Sequence, residues 1–575
     1  MNNLNTNGNF ELISFPNSTK TPGTIVSTID TVNTSSSSIS STEEILESQN
    51  PQKDEGFNKN FGLKSIGTIG GICLLIGNCT GPGMVNISYQ FQQGGWFLSL
   101  LGYILMLGLS GVSALFIIES MSMIPGNNKF GLRVEFTMIC RFYFGKWMYI
   151  VSQIFINTSL IITNIASIII CSQVFDSLMV FIFKKTCGIS FSNGWLCVIE
   201  NSSDGGSPFQ NDYMFITIGY LAILVLVVPL GFFNLNDNII IQIACVIIML
   251  IIVVSWVVIF VMIGLSTDNL PTIGNMNGIS QIIGNCMFNY AFITTIPSWV
   301  NESKPTVNLK KSVWISTGFS TILFIIVGIF GALSFSSMSS NSTILSLINL
   351  SNKANIFSKL SVYLFPFIVL ASTIPVFSII VRYNLTQNKF LPTWIANIIS
   401  IVLPWLIVIP FQTGDWLNII SNYSSLFFGS VANFIIPFIL YIKSLQFKKK
   451  LNYYNQQILE QHQQIIQQTN QDQNIKQQQQ QQQQSEKQQE EVENPEESVT
   501  NGITCEFYTV EQEKILKELS LETRDTEENT NITTNHFKSL SFIPRRYSKV
   551  IAQFCLITLS ILIVLVIFSN FYFTD

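Results

Sequence analysis

The chain has 575 residues, 48% of them hydrophobic and only 11% charged, with a mean hydropathy of +0.40 and a formal net charge of -4. Soluble globular chains carry about 25% charged residues, so this balance excludes an ordinary soluble domain and points to a polytopic membrane protein. It also excludes a nucleic-acid partner, which would need a basic, aromatic-interleaved face. The ten cysteines contain no CxxC or Cys/His cluster of zinc spacing, so no metal and no cofactor are expected.

In chain order, residues 1–63 are rich in Ser, Thr, Asn and Glu and lack the apolar core of a signal peptide. They read as a disordered cytosolic tail, with the first span acting as its own insertion signal. A spanning helix needs roughly 20 apolar residues, and eleven candidates follow, near 66–91, 95–118, 147–181, 212–233, 239–265, 280–299, 312–335, 357–381, 393–411, 417–443 and 549–572. The third is longer than one crossing requires; the sixth is short and interrupted. The expected organisation is an all-α core over 64–443, a low-complexity cytosolic loop over 444–547, and a last helix with a short C-terminus over 548–575.

Lys and Arg set the orientation. Lys129, Arg133, Arg141, Lys146, Lys304, Lys310, Lys311, Arg382 and Lys389 fall on the side of the N-terminus, as do Lys448, Lys449, Lys450, Arg545 and Arg546. The opposite loops hold only Lys184, Lys185, Lys353 and Lys359. The N-terminus is therefore expected inside. Sequons at Asn201, Asn341 and Asn349 then lie in outer loops, open to glycosylation. Asn78, Asn86 and Asn157 fit the same pattern inside the membrane, out of reach. Cys187 and Cys197 share one short polar loop and are the candidate pair for a disulfide. The loop after the tenth span is Gln-rich and then acidic, a composition that does not bury enough apolar surface to fold alone. It is a tolerated insertion or a regulatory tail whose protein partners are unknown.

One stretch breaks the pattern of apolar spans. "GNCTGPGMVNISYQFQQGGW", Gly77 to Trp96, puts Gly81, Pro82 and Gly83 at membrane depth. Pro82 removes an amide donor and clashes with the preceding turn, and the glycines permit close backbone approach. The alternatives are a true break, with one half-helix ending near Thr80 and another starting near Met84, or a kink with a small-residue packing face. At a break, amide groups and carbonyls would face one gap with opposite partial charge. Five spans later, "FNYAFITTIPSWVNESKP", Phe288 to Pro305, is interrupted by Asn289, Thr294, Thr295, Pro297 and Ser298. Two interrupted segments in corresponding positions point to an inverted-repeat transporter with its site between them.

These residues resemble the amino acid/auxin permease family of the APC superfamily. Gly81, Gly83, Ser88, Tyr89, Phe91, Gly95 and Trp96 match its first-span signature, from which Pro82 departs. "IPSWVNE", "STIPVFSIIVRYNL" and "GSVANFIIPFILYIKS" are similar to later stretches of the family, in its order. The resemblance covers about 64–443 plus the last span. It implies a five-plus-five inverted-repeat fold with an extra helix, discontinuous in helices 1 and 6, that moves amino acids together with H+ or Na+. On that resemblance the first-span break, Asn78, Cys79, Thr80, Gly81, Pro82 and Gly83, lines the substrate site, faced by Asn289, Thr294 and Thr295. A cation would lie near the Gly77 carbonyl and the hydroxyls of Ser372 or Thr373.

The membrane segments are nearly bare of ionisable groups, and both histidines, His462 and His536, lie in the polar loop. Glu119 and Glu302 read as charges at span ends or gate partners, and Asp176 as a solvated helix end or an ion site. The expectation is a secondary amino-acid transporter working by alternating access in the plasma membrane or an endolysosomal or vacuolar membrane. The alternative is an amino-acid sensor on the same scaffold that carries no flux. An enzyme would need a paired carboxylate, a Ser/His dyad or a His cluster at membrane depth, and a channel would need a repeated filter or a ring of charges. Neither pattern is present.

Overall fold

The computed structural model describes residues 64–200, 207–210, 212–274, 276–336, 338, 343–387, 390–413, 416, 420, 423–483, 512, 514–515, 537–540 and 543–572. The expectations for residues 1–63, for Asn201 and Asn341, for His536 and for much of the polar loop lie outside them.

The chain is mostly helical. Helix α1 (Thr68–Cys79) is followed by a tight 3₁₀ turn, Pro82–Asn86, and by α2 (Ile87–Gly94). Then come α3 (Trp96–Ser122), a short α4 (Phe136–Phe144) and α5 (Lys146–Phe183). At 38 residues and 1.5 Å per residue, α5 is about 57 Å long, well beyond the ~30 Å hydrocarbon core. After a small sheet come α6 (Ile218–Val227), extended by 3₁₀ turns to Phe232, α7 (Ile239–Ile263), α8 (Met276–Asn289) and α9 (Ile296–Glu302). Helix α10 (Leu309–Ser334) and the short α11 (Ile344–Leu350) precede α12 (Ile356–Phe365), which runs through a π-turn into α13 (Ala371–Thr386). Helices α14 (Thr393–Asn397) and α15 (Leu403–Val408) are joined in the same way, and α16 (Ile436–Gln483) and α17 (Arg545–Tyr572) complete the order.

Among the described residues, eight helices are long and apolar enough to cross a membrane, or nine if the bent pair of α1 with Pro82–Gly94 is one span. In a bilayer each backbone group must be satisfied within the segment, which is why these runs are helices. Their outward faces are largely apolar: Phe554, Val564 and Phe568 on α17 are each 65% exposed or more. The expected fourth span falls short of a full crossing, because 214–217 is a strand and only Ile218–Phe232 is apolar helix.

Two features depart from the sequence reading. The chain is not all-α: β1 (Thr186–Ser190), β2 (Gly194–Val198) and β3 (Met214–Thr217) form an antiparallel sheet in the order β2-β1-β3. The hairpin turns over Phe191-Ser192-Asn193 and enters β2 at Gly194, whose φ of 66° favours glycine. Cys187 and Cys197 face each other in its register and are joined by a disulfide, Cα atoms 4.1 Å apart. The polar loop also does not begin unstructured. Helix α16 continues for 48 residues to Gln483, because Gln, Glu, Lys and Leu are good helix formers and the membrane segment supplies the costly first turn.

The sheet stands at the far end of α5, and Lys64 stands at the near end. These two ends, the sheet end and the Lys64 end, frame the site.

Candidate functional site

Helix α1 stops where its sequence says it must. Thr80 still bonds back to Ile76, but Gly81 turns to an extended ψ of -159° and its amide reaches only Cys79. Pro82 then opens the 3₁₀ turn, and the two halves are bent by 50°. The alternatives left by sequence resolve to a break.

The two glycines do different jobs. A Cβ at Gly83 would lie 2.3 Å from Asn289 Oδ1, so only glycine lets α8 approach this closely. A Cβ at Gly81 would meet nothing within 4 Å. Open space therefore lies beside the bend.

The second interruption lies opposite. Helix α8 ends at Asn289, a turn leads to a 3₁₀ segment Ile293–Thr295, and α9 begins at Ile296. Asn78 Nδ2 donates to Thr295 Oγ1 at 3.0 Å, joining the two breaks directly. The Thr294 amide donates to Asn433 Oδ1 at 3.1 Å. Asn78, Thr80, Asn289, Thr294 and Thr295 are all buried. Cys79, Pro82 and Gly83 are buried with them. Asn78 Oδ1 and Asn289 Oδ1 are buried without a hydrogen-bond partner. Such atoms are expensive to leave unmatched, about 1–3 kcal/mol each. No charged residue lies between Lys64 and Glu119, nor between Met276 and Asn301.

The expected cation position has a tenant. Ser372 and Thr373 donate their hydroxyls to the carbonyls of Val369 and Leu370 at 3.1 and 2.8 Å. Between Gly77 and Ser372 stands Gln242 of α7. Its Nε2 donates to the Ser372 carbonyl at 2.9 Å, and its Oε1, unpartnered, would lie 2.6 Å from a Cβ on Gly77. A cavity of about 10 Å³, room for one water, is lined by Gly77, Thr80, Gln242 and Ser372. Gln242 was missed from sequence, although it is the one amide in the apolar run 239–254.

These broken, charge-free, amide-lined segments are the geometry of a membrane carrier, and comparison decides the matter. A family model described as transmembrane amino acid transporter protein matches residues 64–466. The chain belongs to this family of transporters. The family is one of transporters, not of enzymes, and the transporter is an integral multi-pass membrane protein that acts on a small molecule. Solved structures similar to it include MHP1, a nucleobase-cation-symport-1 family transporter in a closed conformation with bromovinylhydantoin bound, at 13% identity, covering 67% of this chain and 80% of that one, TM-score 0.49. MhsT in complex with L-phenylalanine is similar at 14% identity, 67% and 89% coverage and TM-score 0.46. A manganese transporter of Eremococcus coleocola is similar at 11% identity, 88% and 95% coverage and TM-score 0.39. No curated protein matches the chain in sequence.

The Lys64 end of the transporter is shut by charges and backbone. Ile66 pairs with Ser303 in a parallel bridge, Ile66 N to Glu302 O and Lys304 N to Ile66 O, both at 3.0 Å. Lys64 donates to the Phe130 carbonyl, and burial, then the charge of Arg133, lowers its pKa. Glu302 accepts from Tyr383 Oη and the Asn236 amide, each at 2.9 Å. Glu135 accepts from Ser298 Oγ at 2.5 Å and Asn301 Nδ2 at 2.9 Å. Arg382 donates to the carbonyls of Gly231, Phe232 and Phe233. Glu119 accepts from Arg545 Nε at 3.0 Å, from Tyr441 Oη at 3.1 Å and from Ser539.

Three acidic residues depart from one of their two sequence readings. Glu119 and Glu302, read as charges at span ends or gate partners, are 0% and 1% exposed, so they are not interface charges. Asp176, read as a solvated helix end or an ion site, is not solvated: it is 2% exposed and accepts from Thr186 Oγ1 and the Gly219 amide at 2.9 and 2.8 Å. It fastens the sheet to the start of α6. Asn349 sits half-buried in α11 with its Nδ2 donating to Tyr363 Oη at 3.1 Å, a bond that glycosylation would have to break.

Proposed function

We propose that the chain carries an amino acid across the membrane by alternating access, with the substrate held between the two breaks. The observation that carries this reading is the Asn78–Thr295 bond at the meeting of two interrupted helices, with open space beside Gly81. The substrate carboxylate would lie at the start of the Pro82–Gly94 half, where amide groups point outward with positive partial charge. The ammonium group would take the end carbonyls of α1 and the unpartnered Asn78 Oδ1.

In this reading the bent pair counts as one crossing and α8 with α9 as another. With Ile218–Phe232 and the eight long helices they make the eleven spans of a five-plus-five repeat plus one. The Lys64 end faces the cytosol, in keeping with the Lys and Arg bias, and this conformation is closed on that side. The coupling ion is H+ or Na+. Gln242 Oε1, Ser372 and Thr80 offer only neutral oxygens around the small cavity, a donor set suited to a hard cation, but the Gln242 amide must move for an ion to reach the Ser372 carbonyl.

Uptake of labelled amino acids into proteoliposomes holding the full chain tests this, with Na+ and pH gradients imposed separately. Accumulation against the substrate gradient in one of them is expected. Saturable binding without accumulation in either would establish the sensor instead. That second reading has its own support, because Ser539 and Arg545, in the last part of the polar loop, are docked on Glu119 of the core.

A further inference from the structure

One polar cluster near the breaks is used neither by the zwitterion nor by the ion. Tyr103 of α3 donates its hydroxyl to Gln90 Oε1 at 3.1 Å and accepts from Asn289 Nδ2 at 3.1 Å. Gln90, Tyr103 and Asn289 are 1%, 0% and 2% exposed. Two atoms of the cluster are left with no partner, Gln90 Nε2 and Asn289 Oδ1. The free Asn289 oxygen is aimed at the first-span break, since a Cβ on Gly83 would sit 2.3 Å from it. Gln90 follows Gly83 by seven residues, two helical turns on, so it lies on the same side of the half-helix.

A hydroxyl placed between two primary amides donates to one and accepts from the other. One amide therefore spends its oxygen and the other its nitrogen. Exchanging O and N in both amides only reverses which residue is which. The Cys286 thiol also meets the Tyr103 hydroxyl; in the arrangement the structure shows, the cluster presents one free N–H donor, Gln90 Nε2, and one free C=O acceptor, Asn289 Oδ1, and a primary carboxamide offers their complement. The surroundings reinforce this choice. Phe91 stacks on Tyr103 with ring centroids 5.8 Å apart, and Phe324 packs at 5.6 Å, so the cluster is set among apolar rings. No cation is present on these segments to meet a carboxylate, which would arrive with its charge uncompensated.

We propose that Gln90 and Asn289, bridged by the Tyr103 hydroxyl, form a subsite for a side-chain carboxamide, so that the transported amino acid is of the glutamine and asparagine kind. This rests on the amino-acid reading above and names its substrate class. A site whose buried polar groups are left unpaired by the wrong ligand discriminates strongly, by about 10-fold or more for each unmet group.

The test is uptake into proteoliposomes of labelled L-glutamine, L-asparagine, L-norleucine, L-glutamate and L-alanine by the full chain. L-glutamine or L-asparagine should exceed L-norleucine by at least about 10-fold in kcat/KM, and L-glutamate should not be carried. In Gln90→Met and Tyr103→Phe the ratio of L-glutamine to L-norleucine should fall to within about threefold, through loss of glutamine uptake. That ratio is read within one preparation and is independent of expression. If both variants fail to fold, the wild-type series decides alone. Uptake of L-norleucine or L-glutamate as efficient as that of the carboxamides overturns the subsite while leaving amino-acid transport standing. No uptake of any amino acid overturns both.

Discussion

The middle of the molecule and its Lys64 end are both buried and both polar, yet they are built on opposite terms. At the Lys64 end each carboxylate is met: Glu302 by Tyr383 and Asn236, Glu135 by Ser298 and Asn301, Glu119 by Arg545, Tyr441 and Ser539. At the breaks there is no charge, and Asn78, Gln90, Gln242 and Asn289 each keep an atom without a partner. A saturated network holds a conformation. On the proposed function an unsaturated one is where a substrate enters and leaves. That reading makes the Lys64 end a lock and the breaks a binding site, and it predicts that damage to each will read out differently.

The largest effect should come from Gly83→Leu, which drives a side chain into Asn289. Uptake should drop by at least about 100-fold, since overpacking alone costs about 1–3 kcal/mol, with membrane insertion intact. Gly81→Ala, which meets open space, should stay within about tenfold of wild type; equal loss in the two would erase the distinction between the glycines. Next, Glu302→Ala removes the buried acceptor of the Tyr383 hydroxyl and the Asn236 amide and should lower thermal stability in detergent by about 3 kcal/mol. An unchanged melting temperature would show that the Lys64 end is not a lock. Asn78→Ala should do the reverse, barely moving the melting temperature while lowering uptake about tenfold, the worth of about one hydrogen bond. The smallest effect belongs to Cys187→Ser. Its ten-residue separation from Cys197 implies about 3 kcal/mol of local ordering, confined to the sheet, and uptake should remain within about twofold. Reduction should alter the gel mobility of the wild type and not of this variant.

The break in the first span was legible because Gly81-Pro82-Gly83 acts through local backbone rules that need no tertiary information. The over-long third span was legible for the same reason: length and composition carry it. The partners of buried charge were not. Glu119 is met by Arg545, 426 residues away in sequence, and no local pattern encodes such a pairing. The sheet was concealed by its setting. Its Asn193-Gly194 pair was a readable hairpin signal, passed over because the surrounding chain reads as helix and loop. The cluster of Gln90, Tyr103 and Asn289 needed coordinates, since what matters is which atoms of the two amides and the one hydroxyl remain free after packing.

The bridge between Ile66 and Ser303 has a mechanical consequence. It ties the head of α1 to the tail of α9, and the same two helices are fitted together where Trp299 fills the space beside Gly71. On the proposed alternating access, the two half-helices on that side, yoked in this way, move together. The tie is made of main-chain atoms, which most side-chain changes leave untouched. What holds the two interrupted segments in step is thus the peptide backbone, not any one side chain.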